Sequence, residues 1–394
     1  MNDVLAPERE SEVEQIVRSA CAEGAKLDIV GGGAHAGLGR PRAGERSLSI
    51  AGLKGIVFYA PAEMTLCAKA GTTIDEVEAA VSEQGQILPF EPMSPRALWG
   101  APAEPTLGGM VATNLSGPRR ITAGAARDNV LGLRLVNGLG QALKCGGRVM
   151  KNVTGLDLTK LNCGAHGTLG VVTEATIKLA PRPEAETTLV MPGLDDTRAI
   201  EAMTRALGSP FGVSGAAWLQ SGMGGDVART LLRIEGFPES VNDRARRLVA
   251  LLAEYAPTGK LEGEESAGLW RSVRDAEFVA EPRERAIWRV SVAPSQAAAF
   301  VARLGATALA RCYDWGGGLV WVATDATEAA AANLRRALSP ARGHATLMRA
   351  SEALRAQAPV FEPPSDLELR LARGVKASFD PGGVLNFGRM YAGV

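Results

Sequence analysis

Histidine is scarce in this chain: three in 394 residues, at His35, His166 and His344. A metal or acid–base site assembled from several imidazoles therefore has almost nothing to draw on. Cysteine is sparse as well. The five, Cys21, Cys67, Cys145, Cys163 and Cys312, lie far apart without a C-x-x-C pair. That excludes a disulfide framework and a cysteine-held zinc or iron–sulfur site, and leaves reduced, buried thiols. Neither sign of charge is in excess, with 43 Lys plus Arg against 43 Asp plus Glu, so no broad field points to nucleic acid or an anionic membrane. No apolar run approaches the ~20 residues of a membrane helix. The N-terminus, MNDVLAPERE, lacks the basic-then-apolar pattern of a secretory signal. A cytoplasmic protein is expected, peripheral on an inner membrane only through partners.

What the chain does have is apolar bulk and glycine. Apolar residues make up 46%, enough for two cores at roughly 100–200 residues per domain. The 46 glycines gather mainly between positions 31 and 170. Residues 10–24 predict an amphipathic helix with Val13, Ile16, Val17, Ala20 and Cys21 on one face. An apolar strand, Leu27–Val30, runs into Gly31-Gly32-Gly33. Strands follow at 55–59 and 64–70, and Thr73-Ile74-Asp75-Glu76 is a capping box that opens a helix. Residues 131–136 and 141–145 read as a hairpin around Asn137-Gly138, and 171–179 as another strand. Beyond Thr187 the pattern becomes strand, helix, strand, strand, helix, then after a variable stretch (255–285) strand, helix, strand, helix, strand. That is an antiparallel α+β plan of the split-βαβ kind. A last helix, about 366–379, carries Leu367, Leu371, Val375 and Phe379 at helical spacing.

Three glycine-bearing segments carry the chemistry. In residues 31–40, five glycines in nine positions let successive N–H groups converge on an anion such as a pyrophosphate. A Rossmann turn is excluded, because Gly37, Gly39 and Pro41 forbid the following helix and position 53 is Leu53 where an acid is needed. The second segment, Thr106–Gly117, reads as a loop of small residues with hydroxyls and an amide, suited to close approach by a flat ligand. The third, Gly164–Glu174, places glycines just before a strand. Together they suggest one long ligand touched at several points.

With Arg127–Gly132, Gly117–Arg120, Gly146–Leu158 and the terminal Asp380–Tyr391, these segments resemble the FAD-binding domain of the vanillyl-alcohol oxidase/p-cresol methylhydroxylase (PCMH) superfamily. Within it, the chain resembles the FAD-binding E-subunit family of bacterial glycolate oxidases over nearly its whole length, the middle matching loosely. The resemblance implies an α+β fold: a two-lobed PCMH-type FAD-binding domain at 1–185, a smaller ferredoxin-like cap at 186–356, and a helix and tail at 357–394 returning to the FAD domain. It also implies the cofactor contacts. Gly31, Gly32, Gly33, Ala34 and His35 match the loop around the pyrophosphate. Thr106, Leu107, Gly108, Gly109, Ala112, Thr113, Asn114 and Gly117 match the strip along the isoalloxazine and ribityl chain. Gly167, Gly170 and Val172 match later flavin and adenine contacts, and Asn386 sits where the tail folds back.

Some members of the superfamily tether FAD to a histidine near the first glycine loop. Glycolate-oxidase-like relatives usually carry another residue there, so FAD held non-covalently is expected at His35. His166 stands where dehydrogenase relatives have an acidic residue. Self-sufficient 2-hydroxyacid dehydrogenases of the superfamily use a histidine-rich, metal-assisted cap, and here residues 187–394 offer only His344. The function implied is therefore an accessory or electron-relaying subunit of a glycolate dehydrogenase, with no metal of its own. A homologous FAD-containing catalytic subunit and an iron–sulfur subunit would be its partners, and a small 2-hydroxyacid the substrate of the complex. Arg119 and Arg120 are candidates for a substrate or partner carboxylate. A self-contained D-lactate-type dehydrogenase and a scaffold without FAD are the alternatives.

Overall fold

A computed structural model describes residues 4–100, 102–148 and 156–394. Most of the Val149–Asp157 string that carried the family resemblance lies outside the described residues. The chain divides into two compact units, one drawn from residues 1–116, 124–182 and 363–394 and the other from 117–123 and 183–362.

The first unit begins with the predicted helix, Glu10–Glu23, which buries Val13, Val17 and Ala20 and stops at Gly24 in the left-handed conformation. β1 (Val4–Leu5), β2 (Leu27–Val30) and β3 (Arg46–Ser49) form a small parallel sheet in the order β1-β3-β2. Along the chain follow β4 (Ile56–Ala60), β5 (Thr65–Lys69), the short β6 (Gln86–Ile87), β7 (Val130–Val136), β8 (Ala142–Gly146), β9 (Val171–Lys178) and the short β10 (Ala180–Pro181). Five of them make an antiparallel sheet, β4-β5-β9-β7-β8. β5 and β9 are interior and read as near-continuous burial. The Thr73 capping box is present, with Thr73 Oγ1 accepting from Glu76 N–H at 3.1 Å and Glu76 accepting from Thr73 N–H at 2.8 Å. The five cysteines are free thiols, and all but Cys21 are buried.

The second unit is a doubled version of the expected cap. Its strands are β11 (Ala185–Pro192), β12 (Val213–Leu219), β13 (Arg229–Gly236), β14 (Gly259–Glu262), β15 (Ala286–Ser291), β16 (Ala310–Asp314), β17 (Leu319–Thr324) and β18 (His344–Arg349). They form one eight-stranded antiparallel sheet in the order β14-β11-β13-β12-β16-β17-β15-β18. Each half is a split βαββαβ arrangement, and the two meet edge to edge where Trp218 and Leu219 of β12 pair with Tyr313 and Cys312 of β16. Helices Asp196–Leu207, Pro238–Leu251, Pro294–Leu304 and Glu328–Leu338 cover one face, sharing a core with Leu232, Trp288, Val290, Tyr313, Val322 and Leu347.

Two stretches group otherwise than the sequence bounds place them. Residues 117–123 group with the second unit, since Arg119 ion-pairs with Glu235 and the Gly117 carbonyl accepts from Trp315 Nε1 at 3.1 Å. Residues 357–362 stay with it as well, because Arg335 donates to the carbonyls of Pro359 and Phe361. On the C-terminal helix, Asp366–Phe379, Leu367 and Leu371 are 55% and 59% exposed. The residue that this helix buries is Lys376.

Candidate functional site

Where β2 ends, residues 31–40 turn without forming a helix. The absent Cβ at Gly31 is required sterically: one built there would stand 2.4 Å from Thr106 Oγ1. The first and second segments therefore touch through a glycine. The second is not the loop expected from sequence. Thr106 caps a helix, Leu107–Thr113, its Oγ1 accepting from Gly109 N–H at 3.3 Å. Leu107, Met110 and Val111, spaced one helical face apart, are buried beneath it. Thr113 Oγ1 folds back onto the Gly109 carbonyl at 2.9 Å.

The third segment is tied to both. His166 N–H donates to the Ala112 carbonyl at 2.9 Å, and Gly167, at φ +71°, makes the turn into 168–172. A Cβ at Gly167 would stand 2.8 Å from Asn386 Nδ2. Asn386 is the hub. Its Nδ2 donates to the His166 carbonyl at 2.7 Å and its Oδ1 accepts from Ile29 N–H at 2.7 Å. One amide thus binds the strand before the first segment to the start of the third. Behind it the Lys376 ammonium uses all three protons, on the Thr168 carbonyl (2.7 Å), Asp380 Oδ2 (2.7 Å) and the Leu385 carbonyl (2.8 Å). Asp380 in turn accepts from the N–H groups of Val384 and Leu385. A buried charge with every valence filled costs little of the penalty an unpaired one would carry.

The segments close on one cleft enclosing about 790 Å³, part of it open to solvent. Residues 31–35 line it, as do Thr106, Gly108, Gly109, Ala112 and Thr113 of the second segment, Gly167, Gly170 and Val172 of the third, and Asn386. The sequence did not single out Leu38, Arg42, Ile50 or Arg389 as site residues, and these line it too, as does Ala36. Three named candidates stand elsewhere. Leu107 is fully buried in the core. Asn114 ends the helix in the left-handed conformation, its Oδ1 accepting from Arg127 N–H at 2.9 Å. Gly117 belongs to the second unit.

Charge in the cleft comes from arginine. Burial pushes the His35 pKa down to about 4, and burial, with Arg389 and His35 beside it, pushes His166 down to about 3. Both imidazoles are neutral at pH 7. His35 packs edge-on against Trp99 at 5.9 Å. The Arg389 guanidinium donates to the carbonyls of Ala36, Leu38 and Arg40, fastening the first segment to the tail. Arg42 lines the cleft as well.

The two arginine candidates differ. Arg119 gives its fork to Glu235, with Nε to Oε2 at 3.0 Å and Nη2 to Oε1. Burial alone would raise the Glu235 carboxyl, but Arg233 and Arg119 pull it down to about 2. Arg120 lies over the Trp315 ring, 4.6 Å from its centroid.

Comparison with known proteins places this geometry. A profile described as an FAD binding domain matches residues 2–146. Over 377 residues the chain is 36% identical to glycolate oxidase subunit GlcE of Escherichia coli strain K12, covering 95% of each chain. It is 33% identical over 190 residues to glycolate oxidase subunit GlcD of Bacillus subtilis strain 168, spanning 48% of this chain and 38% of that one. Among solved structures, an alkyldihydroxyacetonephosphate synthase superposes with a TM-score of 0.71 at 17% identity, over 97% of this chain and 75% of the synthase. That last likeness is one of fold.

Proposed function

Since this chain belongs to the family of FAD-binding glycolate oxidase subunits that includes GlcE, we propose that it is the FAD-bearing subunit of a complex that oxidises glycolate to glyoxylate. The observation that carries the reading is the single cleft on which the three glycine segments and the tail converge. When bound, FAD supplies two-electron redox chemistry, while the protein supplies position and electrostatics.

The amides of residues 31–35 face a diphosphate, with Arg42 and Arg389 as the nearby cations. Thr106, Gly108, Gly109, Ala112 and Thr113 form the strip for the ring and ribityl chain. Gly167, Gly170 and Val172 take the remaining length, and Asn386 holds the strand before the loop and the start of the third segment in register. His35, half-buried and neutral against Trp99, packs against the cofactor without a covalent bond. The partners in this reading are a homologous FAD-containing catalytic subunit and an iron–sulfur subunit, and the chain relays electrons or supports their assembly. Among the described residues no helix is long and apolar enough to cross a membrane. A cytoplasmic location, with inner-membrane attachment through partners, follows from the same reading.

The isolated chain tests it directly. Its absorbance should show flavin bands, and acid precipitation should release the colour into the supernatant. Glycolate or D-lactate added to the chain alone should leave the oxidised spectrum unchanged, and gentle purification should recover the other two subunits. Bleaching of the isolated chain by either acid would instead establish a self-contained dehydrogenase.

A further inference from the structure

Strand alternation gives the five-stranded sheet of the first unit two unlike faces. Leu66, Ala68, Leu133, Ala175 and Ile177 point into that unit's core. The residues between them point the other way, and the register sets them in level rows. One row runs Phe58, Cys67, Thr176, Gly132, Gly146 across all five strands from β4 to β8. The next runs Lys69, Glu174, Arg134, Lys144 from β5 to β8.

The first row is low. Thr176, Gly132 and Gly146 form the floor of a groove enclosing about 430 Å³, part of it open to solvent, and Val57, Phe58, Lys144, Arg148 and Glu174 stand around it. Arg148 lies over the Phe58 ring, 4.0 Å from its centroid, which steadies a guanidinium at the rim. With no Cβ at Gly132 and Gly146, another chain's backbone can come close to the floor.

The charge on this face is lopsided. The whole chain balances 43 cations against 43 acids. Here Lys69, Arg134, Lys144 and Arg148, with Lys178 level with Thr65, stand against Glu174. Arg134 sits directly across from Lys144, an arrangement that costs stability, although Arg134 also gives its fork to Glu10. Lys69, Lys144 and Arg148 are exposed. At the β4 edge of the same sheet, Ile56 and Val57 are 41% and 49% exposed. A face turned only to water gains nothing from a like-charged cross-strand pair beside bare apolar side chains.

We infer that this sheet face docks an acidic, protruding segment of a partner protein, whose carboxylates meet Lys144 and Arg148 over the glycine floor. The sign of the face selects the acidic partner, and a guanidinium at the rim offers a carboxylate two-point contact. The groove, open and shallow-floored, suits a segment that protrudes. That the partner is another subunit of the complex rests on the glycolate-oxidase reading.

Calorimetric titration of the flavin-loaded chain against the co-purified catalytic and iron–sulfur subunits, at low and high salt, tests the inference. Affinity should fall as salt rises. Lys144→Glu with Arg148→Glu should weaken binding by about tenfold or more at low salt, the gap closing at high salt. Lys69→Glu, expected to cost about threefold, carries the test should the double variant fail to fold. Arg246→Glu, an exposed reversal in the second unit, should leave the affinity unchanged. A folded double variant that binds like the parent, or a loss matched by Arg246→Glu, would overturn the docking face. So would a defect confined to binding of phosphatidylglycerol vesicles, which would assign the face to lipid. A flavin-loaded chain that binds neither subunit sinks the complex reading together with this face; a complex that forms regardless of these charges sinks this inference alone.

Discussion

Gly31 is where sequence and site chemistry meet most tightly. Alanine there would set a methyl 2.4 Å from Thr106 Oγ1, so Gly31→Ala should weaken FAD binding by about tenfold or more. The contact is specific. With Thr106→Ala added, the nearest remaining side-chain atom is the residue-106 Cβ, 3.6 Å away, and part of the affinity should return. Fluorescence titration of the four proteins checks this, and a double variant no better than Gly31→Ala would show the clash lies elsewhere. His35 and His166 carry a pH signature. The folded protein holds them neutral down to about 4 and about 3, whereas an unfolded imidazole takes its proton near ~6.5. The unfolded state therefore binds more protons below that value, and the stability of the flavin-free protein should be full above about pH 6.5 and fall as pH drops toward 4. Melting temperatures at pH 7.5 and 5.5 measure it, and His35→Asn with His166→Asn should flatten the slope.

The elements show what a sequence reveals and what it hides. The glycine segments were legible because a missing Cβ marks where backbone must come close. The helix at 107–113 was not, since its glycines masked a capping threonine followed by Leu107, Met110 and Val111 at helical spacing. β14 lay inside the stretch set aside as variable, and β16 was missed outright, so the doubling of the sheet went unseen. Leu367 and Leu371 have the spacing of a buried face, yet Lys376 is what packs, because its three carbonyl and carboxylate partners make burial of the ammonium tolerable. No local pattern announces a partner 208 residues away, as Thr168 is from Lys376, or 353 away, as Ala36 is from Arg389. The tail nevertheless governs the loop. Arg389→Met removes its bonds to three loop carbonyls and should lower FAD affinity by about tenfold while leaving the circular dichroism spectrum intact. In the second unit, Glu235→Ala would remove the carboxylate that Arg119 and Arg233 share and should cost about 3–5 kcal/mol of that unit's stability. A denaturant melt reporting less than ~1 kcal/mol would mean water already shields the pair.

Taken whole, the chain devotes its backbone to a cofactor and its cationic side chains to fastening and charge. Family membership, a cleft built from three separated segments and a tail hub at Asn386 agree on one ligand. The decisive measurement is titration of FAD into flavin-stripped, folded chain, followed by quenching of flavin fluorescence. A saturable endpoint of one flavin per chain, weakened in Gly31→Ala and in Asn386→Ala, is the result expected here. A chain that melts cooperatively yet takes up no FAD, or binds it equally well in both variants, would contradict the assignment of this cleft.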